Sequence, residues 1–386
     1  LYNWYLMSPK YGTLVRKLVD ASRTRKPADV ISESVAKVLY GEISPYSATR
    51  LERYSACAFA HFLQYGLKLT QRAEYEFRAM DMGNIMHKVL EKLFKEIKKE
   101  KLSLKELSSE KRDEIADRLV EIVAADYGNT ILKSSARNEY MIQRTKRMVR
   151  RTVWAIQEQL RSGEFEPEEV EVSFQGGRID RVDTMETEDG KLYVRVIDYK
   201  TGNTSFDLVS LYHGLQLQLM IYMDGALNVE KNKHKDKEVI PAGVFYYNIQ
   251  DPMIKEKIDA DVEKVQEEVL KKLKMNGLVQ ADRELAEKMD STLVSLPVSI
   301  KKDGSFYKSS SVATREQFDL LNRYVKTKIS HIRQSIVEGD AQVSPYALGT
   351  KNACTYCPYS SVCGFDMKIP GYEFRRLKSF TDEELW

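Results

Sequence analysis

The cysteine pattern constrains the fold of this chain more than any other feature of its sequence. Cys57 stands alone near the start, and Cys354, Cys357 and Cys363 follow close together near the end. The Cys-x-x-Cys spacing within that late group puts two thiolates within reach of one metal centre, and Cys363 adds a third. Only Cys57 remains to complete a set of four. A shared centre would therefore join two distant parts of the chain.

Composition and length are those of an ordinary globular protein. The chain has 386 residues, 42% of them hydrophobic, and no run of about eighteen apolar residues suggests a membrane span. Four cysteines are too few for a secreted disulfide scaffold, so we predict a cytoplasmic protein with no membrane partner. The net charge of +3 does not by itself imply nucleic-acid binding. No G-x-x-x-x-G-K-[ST] loop occurs, so ATP hydrolysis by this chain is not expected.

The period of the apolar residues changes from helical to extended and back along the chain. We predict helices over residues 83–99, 104–127, 136–161, 208–227, 260–275 and 314–338. We predict strands over residues 170–174, 177–184, 192–199 and 239–248, with a hairpin turn at Asp189-Gly190. Ser44 is a candidate helix N-cap, and the lysine-rich stretch 230–237 is most simply a surface loop.

Two carboxylates and a lysine on the predicted strands form a candidate metal site. Asp198 and Lys200 are two residues apart, so their side chains leave the same face of the strand. If the hairpin turn pairs the two strands, Asp180 approaches Asp198. Converging carboxylates beside an ammonium can hold Mg²⁺ or Mn²⁺, which lowers the pKa of a bound water. An Asp-x-Lys pair alone is a weak signal, and its simplest interpretation is an exposed ion pair.

Three further polar residues, His87, Gln218 and Tyr222, lie before and after Asp180, Asp198 and Lys200 along the chain. His87 follows Gly83 by four residues on a predicted helix, and it precedes both carboxylates and the lysine. This order makes His87 a candidate metal ligand through its neutral imidazole. Gln218 and Tyr222 are one helical turn apart, so their side chains face the same way.

A basic stripe follows one predicted helix. Arg144, Arg147 and Arg151 recur at helical spacing, opposite the apolar residues of the same helix. The stripe is either an ordinary solvated face or a surface that contacts DNA phosphates. The sequence favours neither interpretation over the other.

The chain resembles the RecB-type branch of the PD-(D/E)XK nuclease superfamily in the order of four motifs: Gly83-x-x-x-His87, Gly177-Arg178-Ile179-Asp180, Ile197-Asp198-Tyr199-Lys200 and Gln218-x-x-x-Tyr222. The resemblance implies an α/β fold of the restriction-endonuclease type. In that fold a central mixed sheet is flanked by helices, here with helical insertions and a C-terminal loop stapled by a metal cluster. It further implies a Mg²⁺-dependent deoxyribonuclease of the exonuclease type.

The resemblance also implies a role for each motif residue. The metal would be held by His87, Asp180, Asp198 and the carbonyl of Tyr199. Lys200 would be the catalytic lysine, while Gln218 and Tyr222 would line the site and contact DNA. The strand-borne glutamate of the family would correspond to Glu171.

The one-plus-three cysteine pattern resembles the iron–sulfur staple of RecB-like nucleases. It implies a [4Fe–4S] cluster on Cys57, Cys354, Cys357 and Cys363. Structural zinc is the main alternative, although zinc sites more often use paired Cys-x-x-Cys spacings at both ends. Four unligated buried thiols are the remaining alternative. His61, one turn after Cys57, is more simply a neighbour on the helix than a ligand.

Residues 43–52 and the cysteine loop are similar to the C-terminal nuclease region of the AddB family of bacterial helicase–nucleases. That similarity implies cleavage of single-stranded DNA, in the 5′-terminated strand, during resection of broken ends beside an ATP-driven AddA-type subunit. Residues 1–42 would end a preceding helicase-like domain, 43–366 would form the nuclease domain and 367–386 a C-terminal tail. Two alternatives stay open: a free-standing iron–sulfur exonuclease of the CRISPR-adaptation type, and an inert cluster-stapled DNA clamp.

Overall fold

The computed structural model describes residues 2–23, 30–41, 47–70, 79–126, 136–254 and 261–386. The chain forms two compact units, each built from separate stretches of sequence. The first unit comprises Leu1–Arg72, Leu208–Leu217 and Lys326–Trp386, and the second comprises Ala73–Asp207 and Gln218–Val325. No helix in the described ranges is both long enough and apolar enough to cross a membrane.

The helices vary widely in length. In chain order they are α1 (Tyr2–Met7), α2 (Gly12–Arg23), α3 (Glu33–Tyr40), α4 (Ala48–Ala56), α5 (Ala58–His61, continued by a π-helical turn, Phe62–Gly66), α6 (Ala79–Lys99), α7 (Ser109–Asp126), α8 (Ala136–Arg161), α9 (Leu208–Tyr212), α10 (Gln218–Lys233), α11 (Val262–Lys272), α12 (Arg283–Met289), α13 (Arg315–Val337), α14 (Ser360–Cys363) and α15 (Asp382–Leu385).

A six-stranded mixed sheet lies at the centre of the second unit. Its strands, adjacent in chain order, are β1 (Glu166–Phe174), β2 (Gly177–Glu186), β3 (Lys191–Lys200), β4 (Glu238–Asn248), β5 (Asn276–Gln280) and β6 (Val312–Ala313). The pairs β1–β2, β2–β3 and β4–β5 are antiparallel, whereas β3–β4 and β5–β6 are parallel. The predicted hairpin turn is confirmed: Gly190 has φ +77° between β2 and β3, a conformation that glycine adopts without strain.

Helices cover both faces of this sheet because successive strand residues point in opposite directions. Ile197 and Tyr199 of β3 pack with α6, α7 and α8 in one hydrophobic core. The alternate residues Asp198 and Lys200 instead contact Gln218 at the start of α10. The structure is therefore the predicted α/β arrangement, a central mixed sheet flanked by helices.

The first unit brings together early and late parts of the chain. It contains a small sheet of order β8-β7-β9, formed by β7 (Tyr346–Leu348), β8 (Lys351–Asn352) and β9 (Arg375–Arg376). The amide of Phe59 donates a hydrogen bond to the carbonyl of Gln342 at 2.9 Å. The hydroxyl of Tyr359 donates to the carbonyl of Leu69 at 3.0 Å. These bonds hold the segment around α5 against the segment after α13.

Several elements of the structure differ from the prediction. The helix predicted over 208–227 is interrupted after α9, where Gly214 has φ +78° and a Cβ would come 2.7 Å from Ser55 Oγ. α10 then continues to Lys233, through the first half of the stretch 230–237 predicted as a surface loop. β5 and α12 were not predicted, because elements of five and seven residues carry too little periodicity. The other predicted helices and strands are present with shifted ends, while Ser44 lies outside the described residues.

Candidate functional site

Three acidic residues occupy one row across β1, β2 and β3. Val170 pairs with Arg181 and Val172 with Ile179, so Glu171 lies opposite Asp180. The pairing of Arg181 with Ile197 places the next residue back, Asp180, opposite Asp198. Residues opposite one another on adjacent strands have neighbouring side chains. The sheet register thus concentrates three carboxyl groups at one end of the hairpin.

His87 of α6 joins two of these carboxylates in a set that we call the acidic centre: His87, Glu171 and Asp180. Each offers one ligand atom, and the three atoms lie within 4.8 Å of one another. His87 Nδ1 is 3.3 Å from Asp180 Oδ1. An imidazole with two carboxylates is a donor set suited to Mg²⁺ or Mn²⁺. The centre includes Glu171, which the sequence alone assigned only loosely.

Glu171 occupies an unusual backbone position. Its φ is +55°, inside a strand, and its side chain pairs with Arg178. A non-glycine residue in this region is strained by about 1–2 kcal/mol. The surrounding β1–β2 ladder on both sides holds it there. The strain coincides with the acidic centre, which is where such conformations tend to occur.

Asp198 and Lys200 form a second cluster with α10. Lys200 Nζ lies 2.6 Å from Asp198 Oδ2 and donates a hydrogen bond to Gln218 Oε1 at 2.8 Å. Gln218 Nε2 lies 3.0 Å from both Asp198 Oδ1 and the hydroxyl of Tyr222. All four predicted residues therefore belong to one connected cluster. Gln218 holds the lysine and the carboxylate in a defined relative position.

Two motif glycines allow these groups to approach closely. A Cβ on Gly177 would lie 3.2 Å from the ring of Tyr222, and Gly177 has φ +146°. A Cβ on Gly83 would lie 3.1 Å from Thr201 Oγ1, just beyond Lys200. Glycine is the residue that tolerates both the close approach and the positive φ. Gly83 and Gly177 therefore occur in the motifs because a side chain at either position would crowd its neighbour.

The crowding of negative charge alters the pKa of the acidic groups. Burial and the charge of Asp180 raise the pKa of Asp198 to about 6, against the opposing effect of Lys200. Burial and the same Asp180 charge also raise the pKa of Glu171. Burial lowers the pKa of His87, but its hydrogen bond to Asp180 and the surrounding carboxylates outweigh burial and raise it. Such a concentration of negative charge is relieved by a bound cation.

Tyr199 lies beside the acidic centre through its backbone and its ring. Its amide donates a hydrogen bond to Asp180 Oδ2 at 2.7 Å, and its ring centroid is 6.3 Å from that of His87. The sequence assigned its carbonyl to the metal, and that role stays a prediction. On the other side, Arg181 Nη1 donates to the Tyr199 hydroxyl at 3.2 Å.

A buried ionic network supports Tyr199 and was missed in the sequence. Arg181 makes two hydrogen bonds of 2.6 Å to the carboxylate of Asp183, and Arg195 Nε donates to Asp183 Oδ2 at 2.8 Å. All three side chains are almost completely buried. One sequence feature could have indicated this network: Arg181 and Asp183 alternate with apolar residues in a predicted strand. Paired charges inside such a strand indicate an internal network.

The four cysteines line one apolar cavity of about 50 Å³ in the first unit. Burial and then the neighbouring Cys57, Cys357 and Cys363 raise the pKa of the Cys354 thiol to about 11. Among the described residues, only the acidic centre has three ligand atoms within 4.8 Å, so no three thiols are that close together. The four thiols are thus brought to one cavity, and the kind of metal centre that they hold stays a prediction.

The predicted basic residues lie on α8 of the second unit. Arg144 and Arg147 are exposed and Arg151 is half-buried. The guanidinium of Arg151 lies 5.5 Å from the ring centroid of Trp154. Arg147 and Arg151 share a groove from which Arg144 is absent.

Comparison with known proteins identifies relatives of this chain. A family model described as the PD-(D/E)XK nuclease superfamily matches residues 45–364. Three similar bacterial proteins are each named as one subunit of an ATP-dependent helicase/deoxyribonuclease. The protein from Lachnoclostridium phytofermentans is 43% identical over 92% of this chain and 32% of its own length. Those from Thermoanaerobacter sp. and Clostridium acetobutylicum are 36% and 35% identical over the whole chain and 35% of their lengths. The chain spans about a third of these relatives.

Proposed function

Because this chain belongs to the PD-(D/E)XK nuclease superfamily, as its motifs predicted, we propose that it is a metal-dependent deoxyribonuclease domain. Its substrate is single-stranded DNA, in which it hydrolyses phosphodiester bonds. The observation that carries this proposal is the row of Glu171, Asp180 and Asp198 beside His87 and Lys200. These five residues combine cation ligands with a positive group at one end of a sheet.

The residues present fit a Mg²⁺ or Mn²⁺ ion. His87, Glu171 and Asp180 already offer three ligand atoms close together, and Asp198 is the adjacent carboxylate. Burial and then the charge of Asp180 raise the pKa of Glu171 and of Asp198, and a cation would offset the negative charge gathered there. When bound, the ion supplies a water of lowered pKa and offsets charge on the phosphate.

The protein's own groups complete the chemistry. The ammonium of Lys200, held by Asp198 and Gln218, is placed to orient the attacking water and to offset charge developing on the scissile phosphate. Gln218 forms hydrogen bonds to both Lys200 and Tyr222, so it fixes the position of these two side chains on the α10 side of the site. Tyr199 fixes the orientation of Asp180 through its amide. Holding these groups in place before the reaction lowers the cost of reaching the transition state.

The names of the relatives support a helicase–nuclease complex as the wider setting, while the strand that is cut comes from the sequence resemblance. The relatives combine a helicase and a deoxyribonuclease in their description. We therefore propose that this domain cuts the 5′-terminated strand as a duplex end is unwound, beside an AddA-type subunit that supplies the ATP-driven motor. Resection of broken DNA ends is the process in which such an activity is needed.

The nuclease proposal is tested by removing single groups from the site. Asp180→Ala and Lys200→Ala should each lower the rate of cleavage of a labelled single strand in Mg²⁺ by about 100-fold or more, because each removes a ligand or a charge used in the transition state. Asp189→Ala and Lys191→Ala are matched controls, since this exposed pair lies at the opposite end of the same hairpin. Unchanged cleavage by either site variant contradicts the assignment, as does an equal loss in the controls.

For the cysteines we propose a [4Fe–4S] cluster held by Cys57, Cys354, Cys357 and Cys363. The four thiols share one apolar cavity, and their one-plus-three order along the chain is that of the iron–sulfur staple which the sequence resembles. Such a cluster serves a structural role here, because its ligands come from the two ends of the first unit. Anaerobically purified protein should be brown and contain iron and sulfide. Colourless protein loaded with zinc contradicts the cluster.

A further inference from the structure

A groove in the second unit lies against the middle of α8. It has a volume of about 590 Å³, and Arg147, Arg151 and Trp154 of α8 line it together with Asp251 and Gln266. Gln266 belongs to α11, and Asp251 follows the end of β4. The lining is polar along most of its length, apart from the indole of Trp154. A polar groove rich in arginine suits an anionic ligand.

Two arginines of the groove are available to a ligand. Arg150, which also lines it, is already bound to Asp117 of α7 by two hydrogen bonds. Arg112 is buried and bonded to Asp113 and Gln157. Within the part of the chain that the structure describes, no ion pair engages Arg147 or Arg151. These two guanidinium groups therefore supply positive charge that no ion pair of the described residues neutralises, and Asp251 is an acidic residue in the same lining.

Trp154 holds one of these arginines in place. Its indole is half-buried and packs against the hydrophobic core, and the Arg151 guanidinium lies 5.5 Å from its ring centroid. Stacking on a fixed ring restricts the arginine while leaving its N–H groups free to bond. A guanidinium ordered in this way loses less entropy when it binds a phosphate, and its plane also accepts a stacked base.

One wall residue of the groove, Asp251, lies near the backbone of Lys200. The amide of Ile249 donates a hydrogen bond to the carbonyl of Lys200 at 2.7 Å. Asp251 is two residues further along the chain, so its backbone is at most about 7 Å from that of Ile249. The end of β4 thus connects the edge of the candidate active site to the wall of the groove. Because the Lys200 side chain faces α10 and the groove lies against α8, a strand bound at Lys200 would pass around the end of β4 to reach Arg147 and Arg151.

We propose that this groove binds the DNA backbone a few nucleotides away from the scissile phosphate, with Arg147 and Arg151 on phosphates. The inference rests on the proposed nuclease function and assigns it a substrate-binding path. A groove of this volume holds a ligand of drug-like size, which is enough for a short stretch of one strand. Because the proposed function acts on single-stranded DNA, single-stranded DNA is the occupant that we assign to the groove.

The test compares oligothymidylates of two lengths, about four and about thirty nucleotides. Arg147→Ala, Arg151→Ala and the double variant are made in the intact protein, with Arg283→Ala as a control that removes an exposed arginine of α12 outside the groove. Binding is measured by fluorescence anisotropy in the Asp180→Ala background, which prevents cleavage. Cleavage kinetics in Mg²⁺ are measured without that background change.

For the long oligonucleotide, each arginine removed should reduce the slope of log Kd against log salt by about 0.7, and the double variant by about 1.4. The double variant should raise KM for the long substrate about tenfold while leaving kcat unchanged, because it removes binding away from the reacting phosphate. For the short oligonucleotide, KM should not change. Arg283→Ala should behave as the wild type.

Three results would overturn the proposal that the groove binds DNA. The first is an unchanged salt slope in the double variant, and the second is an equal increase in KM for the short and long substrates. The third is intact DNA binding together with loss of a co-purifying helicase subunit, which would make the groove a protein interface. A wild type that cleaves neither substrate overturns the nuclease proposal instead. The binding measurements then still decide whether the groove holds DNA.

Discussion

Asp198 and Lys200 show at the scale of single residues how the site combines opposed charges. Burial and the charge of Asp180 raise the pKa of Asp198 to about 6, although Lys200 favours the ionised carboxylate. Lys200 and Gln218 occupy its two oxygens at 2.6 and 3.0 Å. The pair therefore differs from an exposed strand-end ion pair, the simplest interpretation of Asp-x-Lys in the sequence. The Asp198 side chain is only 3% exposed.

His61 is the residue whose protonation most clearly opposes folding. It has no exposed surface, and Arg50 Nε donates a hydrogen bond to its Nε2 at 3.1 Å. The rings of Tyr40, Tyr54 and Tyr65 lie around it. Burial, followed by the charge of Arg50, lowers the pKa of His61 to about 3. The neutral imidazole accepts a hydrogen bond and is surrounded by aromatic and cationic side chains. These contacts agree with the interpretation of His61 as a structural neighbour of Cys57.

This environment predicts a loss of stability in mild acid. Between the folded pKa of about 3 and the unfolded value of about 6.5, the unfolded chain binds one more proton, so stability falls as pH falls through this window. From pH 7 to pH 5 the contribution of His61 is a loss of about 2 kcal/mol. The free energy of unfolding is measured by urea titration for the wild type and His61→Gln at pH 7 and pH 5. Its decrease between the two pH values should be smaller in the variant by about 2 kcal/mol. Equal pH dependence in the two proteins contradicts the buried neutral histidine.

At the scale of elements, β5 approaches β4 so closely that one glycine cannot be replaced. Gly277 lies opposite Phe245 in the antiparallel pairing, and a Cβ on Gly277 would come 1.9 Å from the carbonyl oxygen of Val244. The carbonyl of Val244 belongs to the backbone in the buried middle of β4, so moving it aside would disturb the packed interior. This contact sets the position of β5 against the sheet.

Gly277→Ala should therefore destabilise the second unit by about 3 kcal/mol, because the strands must separate to admit a methyl group. Gly202→Ala is the matched control, since a Cβ there meets nothing within 4 Å. It should change the free energy of unfolding by less than about 0.5 kcal/mol. Urea titrations of both variants give the comparison. Equal stabilities would mean that β5 is not held against β4 as described.

The elements that sequence reasoning recovered are those with long, regular periods. α6 and α8 were predicted within a few residues, because apolar side chains such as Val89, Leu93 and Val153 recur over several turns. The break between α9 and α10 was missed because its cause is tertiary: Gly214 packs on Ser55, far away in the chain. A local pattern carries no information about such a contact.

At the scale of the whole molecule, both units are discontinuous in sequence. The first unit combines three stretches, and Cys57 comes from the first of them while the other cysteines come from the last. Closing such distant segments costs conformational entropy, and metal–thiolate bonds between them would offset that cost. The domain limits predicted from the sequence stay predictions.

Cys57→Ala should release the cluster and lower the melting temperature by about 5 °C or more, because it opens the link between the first and last stretches. Tyr356→Ala is a suitable control, since this side chain lies in the same cysteine loop and is 94% exposed. The control should retain both its iron and its melting temperature. Iron content and thermal unfolding of the two variants decide the question. A Cys57→Ala protein that keeps its iron and its melting point contradicts the staple.

The sequence by itself determined the family, the α/β fold class and the identity of the motif residues, because motif order and hydrophobic period are local properties. Tertiary structure alone decided how those residues meet. The register of three strands puts Glu171 opposite Asp180 and Asp180 opposite Asp198, and α6 adds His87. The buried Arg181–Asp183–Arg195 network and the groove along α8 likewise depend on which strands and helices become neighbours. Those contacts join residues that no spacing in the sequence connects.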